Sequence, residues 1–160
     1  MAPIEARRLE SLAEGAVDPI VEIGTYHGLS TVVMARKTDE IIFTVDPHDM
    51  YDSWPAFCQT LAEHDLRNVV PLRRTSKQAR RLLNLPLGGV YIDGDHSAQA
   101  VRDDLRLWVP LLTPGGFLAL HDYESHAEGV KRALEEFLAE GRVEFEDIQV
   151  EGSLWSGYRA

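Results

Sequence analysis

Residues 19–31, which read PIVEIGTYHGLST, carry the strongest indication of the fold. The first five are mostly apolar and β-branched, which is typical of a buried strand, and Gly24 ends that run. Leu29 to Arg36 have the spacing of a helix that begins after Gly28. A buried strand, a glycine-containing loop and a helix predict one unit of a parallel α/β sheet.

The same alternation continues along the rest of the chain. Residues 143–150 and 154–158 predict an antiparallel hairpin at the C-terminal end. With that hairpin, the pattern predicts an α/β fold with a seven-stranded, mostly parallel sheet and helices on both faces. The further strands are predicted at 40–46, 69–72, 89–93 and 117–120, the further helices at 4–14, 54–65, 75–83, 97–112 and 126–139, and a turn at 113–116.

Length and composition predict a single domain over residues 1–160. Sixteen basic residues against 26 acidic ones give a net charge of −10, which argues against a nucleic-acid partner, since that affinity depends on basic side chains. The single Cys58 excludes an internal disulfide and a cysteine-based zinc site. Without a signal-peptide pattern or a long apolar run, we expect no membrane partner and a cytoplasmic location.

Polar residues stand where four of the predicted strands end. In an open parallel sheet, ligands bind outside the carboxyl ends of the strands. Any one of these residues could simply form a turn or cap a helix. Together they predict a ligand site at that edge of the sheet. The four positions are Glu22 with Gly24, Asp46, Asp93, and His121 with Asp122.

The loop after the first strand favours a nucleoside ligand with a small anionic group. Gly24 permits close approach of a ligand to the backbone, and Gly28 and Ser30 begin a helix whose free N–H groups favour an anion. Asp46 follows Gly24 by 22 residues, near the spacing of about 20 at which an acidic residue binds a ribose. The loop lacks G-x-G-x-x-G, the motif of dinucleotide-binding proteins. This absence weakens the hypothesis of an NAD-dependent oxidoreductase, which we keep as an alternative.

Four motifs resemble class I S-adenosylmethionine-dependent methyltransferases: VEIGTYHGLST (21–31), TVDPH (44–48), YIDGDH (91–96) and LLTPGGFLALHDY (111–123). Within that superfamily they are similar to the metal-dependent O-methyltransferases of the catechol type and of antibiotic sugars. The resemblance implies a Rossmann-like fold and methylation of a hydroxyl on a small molecule, such as a sugar, a phenol or a natural product. It also implies S-adenosylmethionine and a divalent metal, Mg²⁺, as cofactors.

The resemblance assigns roles to the residues of the glycine loop and the second strand. Glu22 and Gly24 would contact the methionine part of the cofactor, and Ser30 its carboxylate. Asp46 would bind the ribose hydroxyls. The resemblance places Pro47, His48 and Ser76 beside the adenine. The complete cofactor-binding set is Glu22, Gly24, Thr25, Tyr26, Gly28, Ser30, Asp46, Pro47, His48, Ser76 and Asp93.

The resemblance also implies a metal site formed by Asp93, His121 and Asp122. The sequence departs from the catechol-type pattern at two positions. His121 stands where that pattern has a carboxylate, and His96 stands where it has a catalytic lysine. Asp93 and His96 are the predicted catalytic residues, with His96 as general base, although His96 could instead bind the metal. One nitrogen and two oxygen ligands suit Mg²⁺ but tolerate Mn²⁺, Fe²⁺ or Zn²⁺ better.

Other hypotheses remain open from sequence. Two of them keep the same fold: a metal-independent methyltransferase, and a relative with other chemistry, such as hydroxylation. A third is a protein that binds the cofactor but has no catalytic activity.

Tyr51, Trp54 and Phe57 are candidate pocket residues, and His126 lies near the predicted cleft. The core elements use nearly the whole chain, which leaves about 15 N-terminal residues as a possible lid. We therefore expect a cleft that is open or closed by a second subunit, as in a homodimer.

Overall fold

The structure, a computed structural model, describes residues 1–49, 52–124 and 128–160. These residues form seven strands and six α-helices around one sheet. The strands are β1 (Ile20–Ile23), β2 (Ile42–Val45), β3 (Val69–Leu72), β4 (Leu87–Ile92), β5 (Leu112–Leu120), β6 (Phe145–Glu151) and β7 (Leu154–Arg159). The helices are α1 (Pro3–Glu14), α2 (Leu29–Ala35), α3 (Trp54–Glu63), α4 (Ser76–Arg80), α5 (Ala98–Trp108) and α6 (Glu128–Ala139).

The strands lie in the order β3-β2-β1-β4-β5-β7-β6. Strands β1 to β5 are parallel, and β7 pairs antiparallel with both β5 and β6. The predicted mostly parallel, seven-stranded sheet with a C-terminal antiparallel hairpin is therefore confirmed. From β1 the chain moves outward to β3 and then returns to β4 on the other side. This reversal of strand order opens a crevice at the carboxyl ends of β1 and β4.

Apolar side chains cover both faces of the sheet. Successive strand residues point to opposite faces, so Val21 and Ile23 join one core cluster and Ile20 joins the other. Helices α4, α5 and α6 pack into the first cluster, and α1 and α2 into the second. The predicted placement of helices on both faces is thus confirmed. None of the helices in the described ranges is long and apolar enough to cross a bilayer.

Helix α1 packs onto the sheet rather than covering the crevice. Its side chains Leu9, Leu12 and Ala13 are fully buried in the second core cluster. The helix therefore uses its apolar face in the core, and the expectation of an N-terminal lid is corrected for this segment.

Two predicted helices end earlier than the sequence pattern suggested. The helix predicted at 97–112 ends at Trp108 and continues as a single 3-10 turn, Val109–Leu111. Pro110 has no N–H group for the next helical hydrogen bond, which explains the change. The helix predicted at 75–83 is limited to α4, with Thr75 as its side-chain cap.

The segment predicted as a turn, residues 113–116, lies inside β5. Pairing with β4 shifts register between Leu87 and Gly89. Gly115 has a φ of +81° within this irregular stretch, a conformation that glycine adopts without steric cost. The turn residues thus form a local irregularity at the start of a long strand.

Candidate active site

The carboxyl ends of four neighbouring strands meet at one point of the sheet edge. In the register, Ile23 lies beside both Val45 and Ile92, and Ile92 lies beside Leu120. The next residues of these strands are therefore neighbours as well. The structure thus brings together the strand-end residues singled out in the sequence, namely Gly24, Asp46, Asp93 and His121.

A cavity of about 930 Å³ opens at this edge. Seven residues of the predicted cofactor-binding set line it, and so does His96, whereas Glu22, Thr25, Gly28 and Ser30 do not. These four belong to β1, the glycine loop and the start of α2, and their direct contact with a cofactor stays a prediction. The seven lining residues are Gly24, Tyr26, Asp46, Pro47, His48, Ser76 and Asp93.

Gly24 is required by the close approach of β1 to β4. Its φ is +83°, and a Cβ atom built there would lie 2.3 Å from the carbonyl oxygen of Asp93. Any other residue would push these two strand ends apart. The glycine therefore sets the spacing between the part of the cavity near β1 and the acidic residues after β4.

Asp46 holds the glycine loop through backbone hydrogen bonds. Its Oδ2 accepts from the N–H groups of Thr25 (2.9 Å) and Tyr26 (3.0 Å), and its Oδ1 accepts from the N–H of His48 (2.7 Å). Three backbone donors thus fix the carboxylate at the cavity wall. This arrangement shapes the loop before any ligand binds.

Glu22 lies behind the loop with no exposed surface. Its carboxylate accepts from the hydroxyl groups of Ser30 and Thr31, which fastens the first turn of α2. Burial raises the pKa of Glu22 to about 7, against the lowering effect of these two hydrogen bonds. In this position Glu22 acts on the cavity through the elements that it braces.

His48 lines the cavity near β2, whereas the candidate pocket residues Trp54 and Phe57 pack against its ring and do not line the cavity. The His48 ring is buried and shares a 2.7 Å hydrogen bond between Nδ1 and Ser53 Oγ. It lies 5.1 Å from the Trp54 ring and 5.3 Å from the Phe57 ring. Burial lowers the pKa of His48, which favours the neutral imidazole. The candidate pocket residue Tyr51 lies outside the described residues, as does His126.

Ser76 belongs to a buried network that the sequence analysis did not identify. Its hydroxyl donates to Asp104 and accepts from Trp108 Nε1 at 2.8 Å. Burial raises the pKa of Asp104 to about 6. A signal was present in the sequence: Asp104 lies on the apolar face of α5, three residues after Val101 and four before Trp108.

A cluster of carboxylates and imidazoles lies beside the cavity. One ligand atom from each of Asp93, His96 and Asp122 lies within 4.8 Å of the others. His96 Nε2 is 3.7 Å from Asp93 Oδ1 and 3.2 Å from Asp122 Oδ2. The nearby carboxylate of Asp93 is the largest cause of a raised pKa at His96.

His121 joins the same cluster from the end of β5. Its Nδ1 lies 3.5 Å from Asp93 Oδ1 and 3.2 Å from Asp122 Oδ2. Separations of about 3 Å are those between neighbouring ligands in an octahedral site with metal–ligand bonds of about 2.1 Å. Hard oxygen donors with imidazole nitrogen are also a suitable set for a divalent cation. The residues present therefore fit the implied metal.

Tyr91 orients the central carboxylate of this cluster. Its buried hydroxyl donates to Asp93 Oδ2 at 2.9 Å, while Asp93 Oδ1 faces His96 and His121. The two oxygens of Asp93 thus have different partners. Its backbone also meets Gly24, so Asp93 joins the cluster to the cavity.

An open sheet with a crevice at its switch point defines the class of Rossmann-like α/β proteins, which bind their ligands at that crevice. Within that class, residues 21–123 match the family described as "Methyltransferase domain", which is more than half of the chain. The protein belongs to this family and is a methyltransferase. The resemblance to class I methyltransferases is thereby confirmed.

Solved structures share the fold over nearly the whole chain. The O-methyltransferase from Bacillus cereus in complex with SAH has a TM-score of 0.79 and 19% identity, and covers 99% of this chain and 82% of its own. TomG from Streptomyces achromogenes is an O-methyltransferase of tomaymycin synthesis, solved in complex with SAM. It has a TM-score of 0.80 and 19% identity, and the match covers 100% of this chain and 81% of TomG. A TDP-rhamnose 3'-O-methyltransferase of calicheamicin biosynthesis has a TM-score of 0.73 and 14% identity, and the match covers 96% of this chain and 76% of that enzyme. At these identities the similarity shows the fold alone.

Proposed function

We propose that the protein is an S-adenosylmethionine-dependent O-methyltransferase that acts on a hydroxyl of a small molecule, a sugar, a phenol or a natural product, with Mg²⁺ at the acidic cluster. The observation that carries this proposal is the position of Asp93, which lines the cavity and also belongs to the cluster with His96 and Asp122. The names of the structural neighbours, which include a sugar O-methyltransferase and proteins bound to SAM or SAH, support the same substrate class and cofactor.

The cavity divides into two parts that suit this cofactor. Asp46 would bind the ribose, and Ser76 and His48, which line the same cavity, would lie beside the adenine. The methyl group would then face the side of the cavity where Asp93 and His96 lie. Holding the acceptor oxygen and methyl carbon about 3 Å apart in line is the main catalytic task in such a displacement.

The chemical step places a proton on this chain. As the acceptor oxygen bonds to the methyl carbon, the carbon–sulfur bond breaks and the sulfur keeps the electron pair. The acceptor's proton goes to His96 Nε2, with Asp122 3.2 Å away to stabilise the imidazolium. Asp93, His121 and Asp122 would hold a divalent cation, which when bound supplies a Lewis acid that lowers the pKa of the hydroxyl.

Calorimetry with S-adenosylhomocysteine and with NAD tests the cofactor assignment. We expect S-adenosylhomocysteine to bind and to raise the melting temperature, and NAD to do neither. Absence of both effects with S-adenosylhomocysteine contradicts the proposal, and binding of NAD alone favours the oxidoreductase. Activity that persists in EDTA would instead select the metal-independent methyltransferase.

The oligomeric state is a separate proposal. Tyr26 and Leu29 are more than half exposed, and Tyr26 lines the cavity. An acceptor or a second subunit would cover these side chains. We propose a homodimer in the cytoplasm, and light scattering during size-exclusion chromatography tests the dimer directly, since a monomer at all concentrations contradicts it.

A further inference from the structure

The buried carboxylate of Glu5 connects three distant segments of the chain. Glu5 lies in the first turn of α1 and is 4% exposed. Its Oε1 accepts from the N–H of Ser153 at 2.8 Å and from the Ser153 hydroxyl at 2.9 Å. Its Oε2 accepts from the N–H of Ala2 and lies 3.2 Å from His121 Nε2. Both oxygens are therefore engaged, one of them with a residue of the acidic cluster.

Glu5 acts as a hydrogen-bond acceptor at both of its oxygens. The N–H and hydroxyl of Ser153 donate to one oxygen and the N–H of Ala2 donates to the other. A carboxylate surrounded by donors in this way accepts from an imidazole through the ring N–H. The nitrogen of His121 that faces it must therefore carry a hydrogen.

This proton position has a direct consequence for the other ring nitrogen. A ring nitrogen that binds a metal ion carries no hydrogen, so a cation held at Nδ1 would leave the Nε2–H as the donor to Glu5. In His121, Nδ1 is the atom that faces Asp93 and Asp122, at 3.5 and 3.2 Å. The contact between Nε2 and Glu5 thus orients the ring so that Nδ1 lies where the carboxylate oxygens converge.

We propose that Glu5 is a positioning residue that holds His121 as the Nε2–H tautomer and so presents Nδ1 as a metal ligand. The inference rests on the proposed metal site and adds to it a residue from the opposite end of the chain. A carboxylate that accepts from the second nitrogen of a ligating histidine fixes the orientation of the ring and makes the ligand more basic.

The surrounding contacts keep Glu5 and His121 in register. A Cβ atom at Gly152 would lie 2.6 Å from Glu5 Oε1, so the β6–β7 turn packs tightly on the carboxylate. The same turn accepts a 2.8 Å hydrogen bond at Ser153 O from the N–H of Tyr123, two residues after His121. The hairpin turn therefore positions both the carboxylate and the loop that carries the imidazole.

The substitution Glu5→Gln tests the proposal because glutamine has only one accepting oxygen. Its amide NH₂ must face either Ser153 or His121, and facing His121 it favours the Nδ1–H tautomer. We expect the affinity for Mn²⁺, measured by calorimetry, to fall about 10–100-fold, with unchanged affinity for S-adenosylhomocysteine. The matched control Ser153→Ala removes a hydrogen bond to the other oxygen and should leave Mn²⁺ affinity unchanged.

The tautomer is read independently by ¹⁵N NMR of the imidazole, at a pH above its pKa, in the Mg²⁺-containing wild-type protein. The Nε2–H form of His121 supports the inference, and the Nδ1–H form overturns it even if Glu5→Gln fails to fold. Equal Mn²⁺ affinity of Glu5→Gln and wild type, with His121 in the Nδ1–H form in the metal-free variant, also overturns it. A wild-type protein that binds no Mn²⁺ contradicts the proposed metal site instead, and the NMR result then decides the role of Glu5 separately.

Discussion

The two halves of the candidate active site are built in different ways. At the ends of β1 and β2, the Asp46 carboxylate is held by three backbone N–H groups and Gly24 fits tightly against its neighbour. At the ends of β4 and β5, the side chains of Asp93, Asp122 and two histidines converge. The first half is shaped by the backbone, whereas the second concentrates charge that a cation would balance. Substitutions should therefore affect binding in one half and chemistry in the other.

The largest effect is expected for Asp93→Asn in the second half. Loss of the central carboxylate should abolish metal-dependent methyl transfer, by about 10³-fold or more, since a Lewis acid contributes several kcal/mol to the transition state. Affinity for S-adenosylhomocysteine should change little. Turnover and calorimetry measure the two quantities.

Asp103→Asn is the matched control for Asp93→Asn. Asp103 is an exposed aspartate at the same cavity, hydrogen-bonded to Gln99, and its replacement should leave turnover unchanged. If Asp93→Asn lowers cofactor affinity as much as turnover, Asp93 is a structural residue and the division between the two halves fails.

Glu22→Gln probes the support of the first half through pH. The folded protein holds a proton on Glu22 up to about pH 7, while the unfolded chain loses it near 4.5. Stability of the wild type should therefore fall as the pH rises between these values. Glutamine does not titrate, so the variant lacks this loss. Between about pH 4.5 and 7 the free energy of unfolding of the variant should therefore rise by roughly 3 kcal/mol relative to that of the wild type. Urea unfolding at several pH values measures the difference, and a difference that is constant with pH contradicts the assignment.

His96→Ala tests whether this residue is the base or a ligand. As a base, His96 should give wild-type activity that rises with pH through its pKa, and the variant should lose about 10²-fold with a flat profile. Turnover should be recorded from about pH 6 to 9, with Mn²⁺ affinity measured in parallel. Turnover equal to that of the wild type over this range removes the base role, and a loss of Mn²⁺ affinity identifies His96 as a ligand.

Gly24→Ala should give the smallest of these effects, and Gly115→Ala is its control. Both glycines have positive φ, +83° and +81°, but a Cβ atom meets the Asp93 carbonyl only at Gly24 and nothing within 4 Å at Gly115. In both variants the alanine is strained in the left-handed backbone conformation, which glycine adopts freely. The added steric contact should make Gly24→Ala less stable by about 2 kcal/mol more, measured by urea unfolding. Equal losses would mean that the close approach of β1 and β4 is not what requires glycine.

Sequence reasoning identified the fold and the strand-end residues because both depend on local patterns. The run before Gly24 predicts a strand, and parallel strand ends necessarily share one edge of the sheet. The contacts of Glu5 and Asp104 could not be predicted in this way. Glu5 meets His121 across 116 positions, and Asp104 meets Ser76 across 28. Such pairs depend on how helices pack on the sheet, which no local spacing encodes.

The proposed methyl transfer depends most directly on a cation at Asp93 and Asp122 beside a cofactor in the same cavity. A crystal structure with S-adenosylhomocysteine and Mn²⁺, with anomalous diffraction data, tests this. We expect the cofactor in the cavity with its ribose at Asp46, and one anomalous peak in contact with Asp93 and Asp122. Bound S-adenosylhomocysteine without a peak at these two carboxylates would contradict the proposed metal-assisted methyl transfer.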